Sequence, residues 1–168
     1  MTTLRMDETP DQETRLADEE ELGSRRALLA LSERFRTHAL ERHYLALVAG
    51  AYPEAKSTLK FPVGGRPART HVDVIERFGD QATLLRCRLE TGRTHQIRVH
   101  MAALKHPCVG DITYGADPVL ARRLGLERQW LHAVRLGFHH PETGEYVEYE
   151  SPYPEDLKRA LDIIRDEV

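Results

Sequence analysis

The chain has 168 residues, of which 40% are hydrophobic and 30% are charged, and its formal net charge is −3. This balance is typical of a globular protein and excludes a disordered or fibrous chain. The two cysteines are too few for a disulfide framework, no apolar run approaches the roughly 20 residues of a membrane span, and the N-terminus has no apolar signal segment. We therefore expect a cytoplasmic protein that makes no contact with a membrane.

The charges are distributed unevenly along the chain. Residues 1–24 hold eight acidic and two basic residues, residues 56–106 hold ten lysines or arginines against four acidic residues, and residues 142–168 hold nine acidic and three basic residues. A basic middle segment favours an anionic partner, most often nucleic acid, although a plain solvated surface is the alternative. Residues 1–24 also lack apolar periodicity, which predicts an acidic, disordered arm followed by a folded domain over residues 25–168.

Hydrophobic periodicity and turn residues predict the secondary structure in chain order. The predicted elements are a helix from about residue 25 to 35, a strand at 42–48, a hairpin with strands near 72–74 and 85–89, a helix at 94–104 capped by Thr94, a short helix at 118–124, strands at 130–138 and 146–149, and a helix at 154–166. Because the strands arrive in hairpins rather than in βαβ units, we predict an α+β fold with a mainly antiparallel mixed sheet and flanking helices.

The segment at residues 89–115, LETGRTHQIRVHMAALKHPCVGDITYG, is the most informative part of the sequence. Arg93 lies on a strand-to-helix turn, where the free N–H groups at the start of the helix favour an anion or a carboxylate. The predicted helix places His95 and Arg98 on the side away from its apolar stripe. We therefore expect Arg93 and Arg98 to contact charged groups. The alternative is that both are solvated surface residues.

This same segment resembles the C-terminal signature of the RluA-type RNA pseudouridine synthases, TGR-x-HQIR-x-H followed by HP-x-x-GD-x-x-YG. RQWLHA at 128–133 is similar to the family's RQ-x-LHA segment, and RHYLALV at 42–48 is similar to its K/R-x-YLALV strand. The resemblance implies the C-terminal half of the pseudouridine synthase fold. It also implies an isomerase that converts uridine to pseudouridine in ribosomal or transfer RNA, with no cofactor and no metal.

The resemblance further implies roles for individual residues. Tyr44 matches the active-site tyrosine that packs against the flipped uracil and assists proton removal from C5. Arg93 matches the arginine that pairs with the catalytic aspartate, and Leu131 matches an apolar residue that lines the uracil pocket. An extruded base that stacks on an aromatic ring is what chemistry on a nucleobase requires. The basic middle segment then faces the RNA phosphates, and the expected substrate-binding residues are Leu131, His95, Arg98, Lys60 and Arg66.

The sequence departs from the family in the motif of the catalytic aspartate and in a shorter link over residues 61–68. The catalytic aspartate of the family lies in HRLD-x-x-TSG, and the nearest string here is TRLAD at 14–18, with Ala17 where the aspartate falls. Asp18 is a candidate replacement, but its acidic surroundings offer no means of holding it against Arg93. We therefore expect a synthase that is impaired or inactive as this chain. The alternatives are a non-catalytic RNA-binding or scaffold protein and the product of a truncated reading frame.

A partial catalytic domain also leaves a sheet edge exposed, which allows a homo-oligomer or pairing with another chain. His95, His100 and His106 lack the spacing of a metal site, so no metal is expected. Cys108 lies in no nucleophile pattern and is expected to be a small packed residue. Asp111, in the GD-x-x-YG motif, is expected to have a structural role.

Overall fold

The computed structural model describes residues 41–140 and 142–167 of the chain. The predicted arm at 1–24, the first predicted helix and Asp18 lie outside these residues. Within them, the strands are β1 (Glu41–Ala49), β2 (Lys56–Leu59), β3 (Thr70–Phe78), β4 (Ala82–Leu89), β5 (Leu131–His139) and β6 (Tyr146–Glu150). The helices are α1 (Gln96–Ala103), α2 (Pro118–Arg123) and α3 (Glu155–Asp166), with a short 3-10 helix at Ile112–Tyr114.

The strands form one antiparallel sheet in the order β2-β3-β4-β1-β5-β6. β1 lies inside the sheet and pairs with β4 on one side and β5 on the other. Its sequence ERHYLALVA is apolar at consecutive positions, because both of its faces are covered over most of its length. The short strands β2 and β6 form the two edges.

Two apolar clusters fill the two sides of the sheet. One cluster joins alternate residues of β1 and β4 to Ile97 and Met101 of α1. The other joins the intervening residues to α2 and to the apolar stripe of α3, with Trp130 at its centre. The indole N–H of Trp130 donates to the carbonyl oxygen of Leu157 at 2.8 Å, which fixes α3 against the sheet.

The structure confirms the predicted α+β fold and most of the predicted elements, but it corrects the start of α1. The helix begins at Gln96 rather than at Thr94, and His95 precedes it in a left-handed conformation, with φ of 53°. The cap residue is His95, which makes no side-chain cap bond, and the side chain of Gln96 accepts the N–H of Arg93 in the preceding turn. The prediction also missed β2, because the four residues KSTL carry no apolar alternation. Among the described residues, no helix is both long and apolar enough to cross a membrane.

Candidate active site

Tyr44 and Leu131 lie on the same side of the sheet, on neighbouring strands. In the β1–β5 register Tyr44 pairs with Ala133 and Ala46 pairs with Leu131, so the two predicted site residues are diagonal neighbours. Both belong to the cluster that packs against α1, and each is only 3% exposed. The strands therefore bring an aromatic ring and an apolar side chain together on one face of the sheet.

Arg93 lies on the turn between β4 and α1, beside these strands. Its backbone N–H donates to the Gln96 side-chain oxygen at 3.0 Å, and its Nε donates to the carbonyl oxygen of Pro67 at 2.8 Å. Partial burial and then the positive charge of Arg66 lower the pKa of the Arg93 guanidinium. Arg66 is thus close enough to act with Arg93 on an anion.

Gln96 holds this turn in place, a role that the sequence analysis missed. Its oxygen accepts the Thr91 hydroxyl at 2.7 Å as well as the Arg93 N–H. Its Nε2 donates to the carbonyl oxygen of Arg69 at 3.0 Å and to the Thr70 hydroxyl at 2.9 Å. The side chain is 2% exposed, so the four bonds use the full capacity of a buried amide. The Q of HQIR was the signal that could have pointed to it.

Arg42 is a second positively charged residue next to the turn, also missed from the sequence. It is 1% exposed, and a Cβ added to Gly92 would overlap its guanidinium. Burial is the main cause that lowers the pKa of Arg42, while nearby Tyr44 raises it and the charge of Arg93 lowers it. Arg42 therefore lies within electrostatic reach of both predicted catalytic residues. Its position two residues before Tyr44 on one strand was the available signal.

The structure gives Arg98 a buried partner within the chain. Its Nε and Nη2 each donate to a carboxylate oxygen of Asp111 at 2.9 Å, and the two residues are 8% and 2% exposed. Its guanidinium also lies 5.0 Å from the centre of the Tyr114 ring. Arg98 was expected to contact a charged group, and this group is the Asp111 carboxylate of the same chain. The Nε and Nη2 edge of the guanidinium is therefore occupied by Asp111, and the planar group lies over the Tyr114 ring.

The other predicted contact residues occupy the rim. The ring of His95 contacts Tyr114, with Nδ1 3.2 Å from the phenol oxygen, so the Arg98 pair supports His95 indirectly. Lys60 and Arg66 are exposed and lie on the segment between β2 and β3. The structure therefore brings Arg66 close to Arg93 and places Lys60 on the surface of the same connection.

The buried histidine and cysteine near the site are structural. His100 lies between the Thr70 hydroxyl, 2.9 Å from its Nδ1, and the carbonyl oxygen of Phe61, 2.7 Å from its Nε2. Burial raises the pKa of the Cys108 thiol to about 12, which disfavours the thiolate that a nucleophile requires. No group of three or more histidine, cysteine, aspartate or glutamate residues within the described ranges could hold a metal ion.

The site can therefore do two things chemically. Tyr44 and Leu131 supply surfaces for stacking and packing of a planar ring. Arg93, with Arg42 and Arg66 nearby, supplies a positive field suited to a carboxylate or a phosphate. The Gln96 bonds fix the turn that carries Arg93, so this field is already organised before a ligand binds.

Comparisons with known proteins agree with this geometry. The family described as RNA pseudouridylate synthase matches residues 23–103. An uncharacterized RNA pseudouridine synthase of Mycobacterium bovis is 49% identical over 158 residues, which cover 86% of this chain and 51% of the relative. Ribosomal large subunit pseudouridine synthase D of Nitrosomonas europaea is 42% identical over 154 residues, which cover 81% of this chain and 44% of the relative. The chain thus spans about half the length of these curated relatives.

Solved structures show the same fold. Human RNA Pseudouridylate Synthase Domain Containing 1 is 29% identical with a TM-score of 0.66, covering 82% of this chain and 65% of that one. Human RNA Pseudouridylate Synthase Domain Containing 4, at 19% identity and a TM-score of 0.72, covers 84% of this chain and 69% of that one, and it supports the fold alone. The family match over residues 23–103, the identities along most of the chain and the shared fold agree, and the chain is similar to the RNA pseudouridylate synthases over most of its length.

Proposed function

We propose that this chain supplies the uridine-binding and charge-orienting half of an RNA pseudouridine synthase site, acting on ribosomal or transfer RNA in the cytoplasm. The observation that carries the proposal is the convergence of Tyr44 and Leu131 on one face of the sheet, with Arg93 held beside them by Gln96. The reaction is an isomerisation. The N1–C1′ bond of uridine breaks, a C5–C1′ bond forms, and a proton leaves C5 while N1 gains one, so no cofactor is consumed.

The roles of the residues follow from their chemistry. Leu131 and the Tyr44 ring enclose the extruded uracil, and the Tyr44 hydroxyl assists removal of the C5 proton. Arg93 orients the carboxylate that starts cleavage of the N1–C1′ bond, and Arg66 and Lys60 face the phosphates. The sequence contains no HRLD-x-x-TSG motif. We therefore propose that turnover requires that motif from a second polypeptide segment, and that this chain alone binds RNA without isomerising it.

A tritium-release assay tests the proposal. RNA labelled at uridine C5 is incubated with this chain alone and with the HRLD-x-x-TSG half of a relative added in trans. We expect release only from the mixture, and none when Tyr44→Phe or Arg93→Ala replaces the wild-type chain. Tyr146→Phe, which alters an exposed tyrosine of β6, is the matched control and should release tritium normally.

Two other outcomes decide between the alternatives. Release by the chain alone that is lost in Asp18→Ala would show that Asp18 is the nucleophile and that no second segment is needed. No release from the mixture, while the intact relative is active and this chain still binds the RNA, would contradict the synthase role. With that result, the missing catalytic motif would favour a non-catalytic RNA-binding protein.

A further inference from the structure

A charged groove lies on the side of the sheet opposite Tyr44 and Leu131. We call it the reverse-face groove; it has a volume of about 510 Å³, and its charged or titratable lining residues are His43, Lys56, His71, Asp73, Arg86 and Arg88. On β1 His43 precedes Tyr44, and on β4 Arg86 and Arg88 flank Cys87, which belongs to the same cluster as Tyr44. Because neighbouring residues of a strand face opposite sides, this groove is separate from the candidate active site.

The groove has unused positive charge. Within the described ranges, neither Arg86 nor Arg88 forms a hydrogen bond or an ion pair, whereas most other arginines of the chain are paired. Asp73 is the carboxylate of the lining, and it lies 3.9 Å from the exposed ammonium of Lys56. The neighbouring acid Glu90 already has two partners, His71 Nε2 at 2.6 Å and Arg69 Nη1 at 3.5 Å. The arginines therefore favour an anionic ligand.

His43, on the neighbouring strand β1, lies next to Arg88. Its pKa is lowered first by burial and then by the charge of Arg135, with Arg88 contributing in the same direction and Glu41 opposing both. Arg88 and Arg135 flank His43 in the register, from β4 and β5. Positive charge therefore lies on β4 and on β5 on this side of the sheet, on either side of His43, whose lowered pKa favours the neutral ring.

The spacing of the two arginines fits a phosphodiester chain. Arg86 and Arg88 are alternate residues of β4, an inner strand, so their Cα atoms are held about 6.8 Å apart on one face. This spacing is comparable to that of successive phosphates in RNA, and guanidinium groups bind phosphate oxygens in pairs. The hydroxyl of Thr58, 3.1 Å from Nδ1 of His71, adds a polar group at the same wall.

We propose that the reverse-face groove binds the phosphate backbone of RNA, with Arg86 and Arg88 contacting successive phosphates. β4 continues from Arg88 to the turn at Arg93, so one RNA strand can pass from the groove around the end of the sheet to the candidate active site. The identification of the anion as RNA rests on the proposed function. The groove gives the protein a second, sequence-independent contact outside the segment that surrounds the modified uridine.

Fluorescence anisotropy with a labelled oligoadenylate tests the groove separately from the synthase role, because this RNA contains no uridine. Arg86→Ala/Arg88→Ala is compared with Lys158→Ala/Arg159→Ala, which removes the same charge from the exposed side of α3. Two lost phosphate contacts should lower the slope of log affinity against log salt by about 1.4 for single-stranded RNA. The control should retain the wild-type slope, and Arg86→Lys/Arg88→Lys should restore it.

Equal slopes and affinities for the two double alanine variants would overturn the proposal. So would a loss of oligoglutamate binding in Arg86→Ala/Arg88→Ala with oligoadenylate binding unchanged, since that result would assign the groove to an acidic protein. If tritium release fails but Arg86→Ala/Arg88→Ala lowers the salt slope as predicted, the synthase role is refuted and the assignment of the groove to RNA phosphates stands.

Discussion

Removal of Arg98 should destabilise the fold rather than remove an RNA contact. Its guanidinium makes two 2.9 Å bonds to the Asp111 carboxylate, and both residues are buried. Arg98→Met leaves this carboxylate buried without its partner, which costs about 3–5 kcal/mol in comparable cases. The lost contact with the Tyr114 ring, 5.0 Å away, adds about 0.5–1 kcal/mol. We therefore expect the free energy of unfolding to fall by about 4 kcal/mol.

Urea unfolding of a small set of variants measures this effect. The double variant Arg98→Met/Asp111→Leu removes both charges and should recover most of the lost stability, because no unpaired ion remains. Arg165 and Glu76 form a control pair with a 2.9 Å contact but side chains 43% and 38% exposed. Arg165→Met should cost at most about 1 kcal/mol, since solvent screens an exposed pair. A cost for Arg98→Met no larger than that of the control would refute the reasoning.

Three further predictions concern other parts of the fold. Gly110→Ala should lower the free energy of unfolding in urea by more than about 2 kcal/mol, because φ is +88° and the new Cβ would overlap a backbone carbonyl oxygen. Gly115→Ala, at φ +93° with open space around the new Cβ, should lower it by only about 1 kcal/mol. Equal losses for the two variants would contradict this prediction. Gln96→Leu should lower the free energy of unfolding by about 3 kcal/mol, because it leaves buried polar groups unpaired. It should also weaken binding of uridine-containing RNA, because Gln96 holds the turn that carries Arg93. Unchanged RNA binding would contradict this second prediction. Burial lowers the pKa of His100, so below pH 6.5 the unfolded chain binds more protons and stability falls as pH falls; His100→Gln should show a shallower fall between pH 7 and 5, and an identical slope would contradict this.

The sequence predicts the strands and the residues that share a strand face, but not the contacts between distant segments. β1 is apolar at consecutive positions and its pairing with β5 shifts register next to Tyr44, so the side that Tyr44 shares with Leu131 follows only from the observed pairing. The partner of Arg98 could not be predicted, because Asp111 is thirteen residues away and approaches it only through the turn after α1. The same holds for Gln96, whose side-chain partners come from two segments of the chain, residues 69–70 and 91–93.

The boundary of α1 shows why local propensity was insufficient. A threonine before an apolar helix is a common cap, and Thr94 satisfied that pattern. The Gln96 side chain instead bonds the Arg93 N–H, and His95 adopts a left-handed conformation. These choices depend on Thr70 and Thr91, which the folded sheet brings to Gln96. The division into an arm at 1–24 and a domain at 25–168 stays a prediction.

The central claim is that the Tyr44 face of the sheet receives an extruded uridine. The most direct test places 2-aminopurine next to the single uridine of a short RNA and measures its fluorescence as this chain is added, since loss of stacking raises the signal. We predict a rise with the wild-type chain, no rise with Tyr44→Ala or Leu131→Arg, and a normal rise with the exposed control Tyr146→Ala. An RNA that binds the wild-type chain with no rise in fluorescence would contradict the claim.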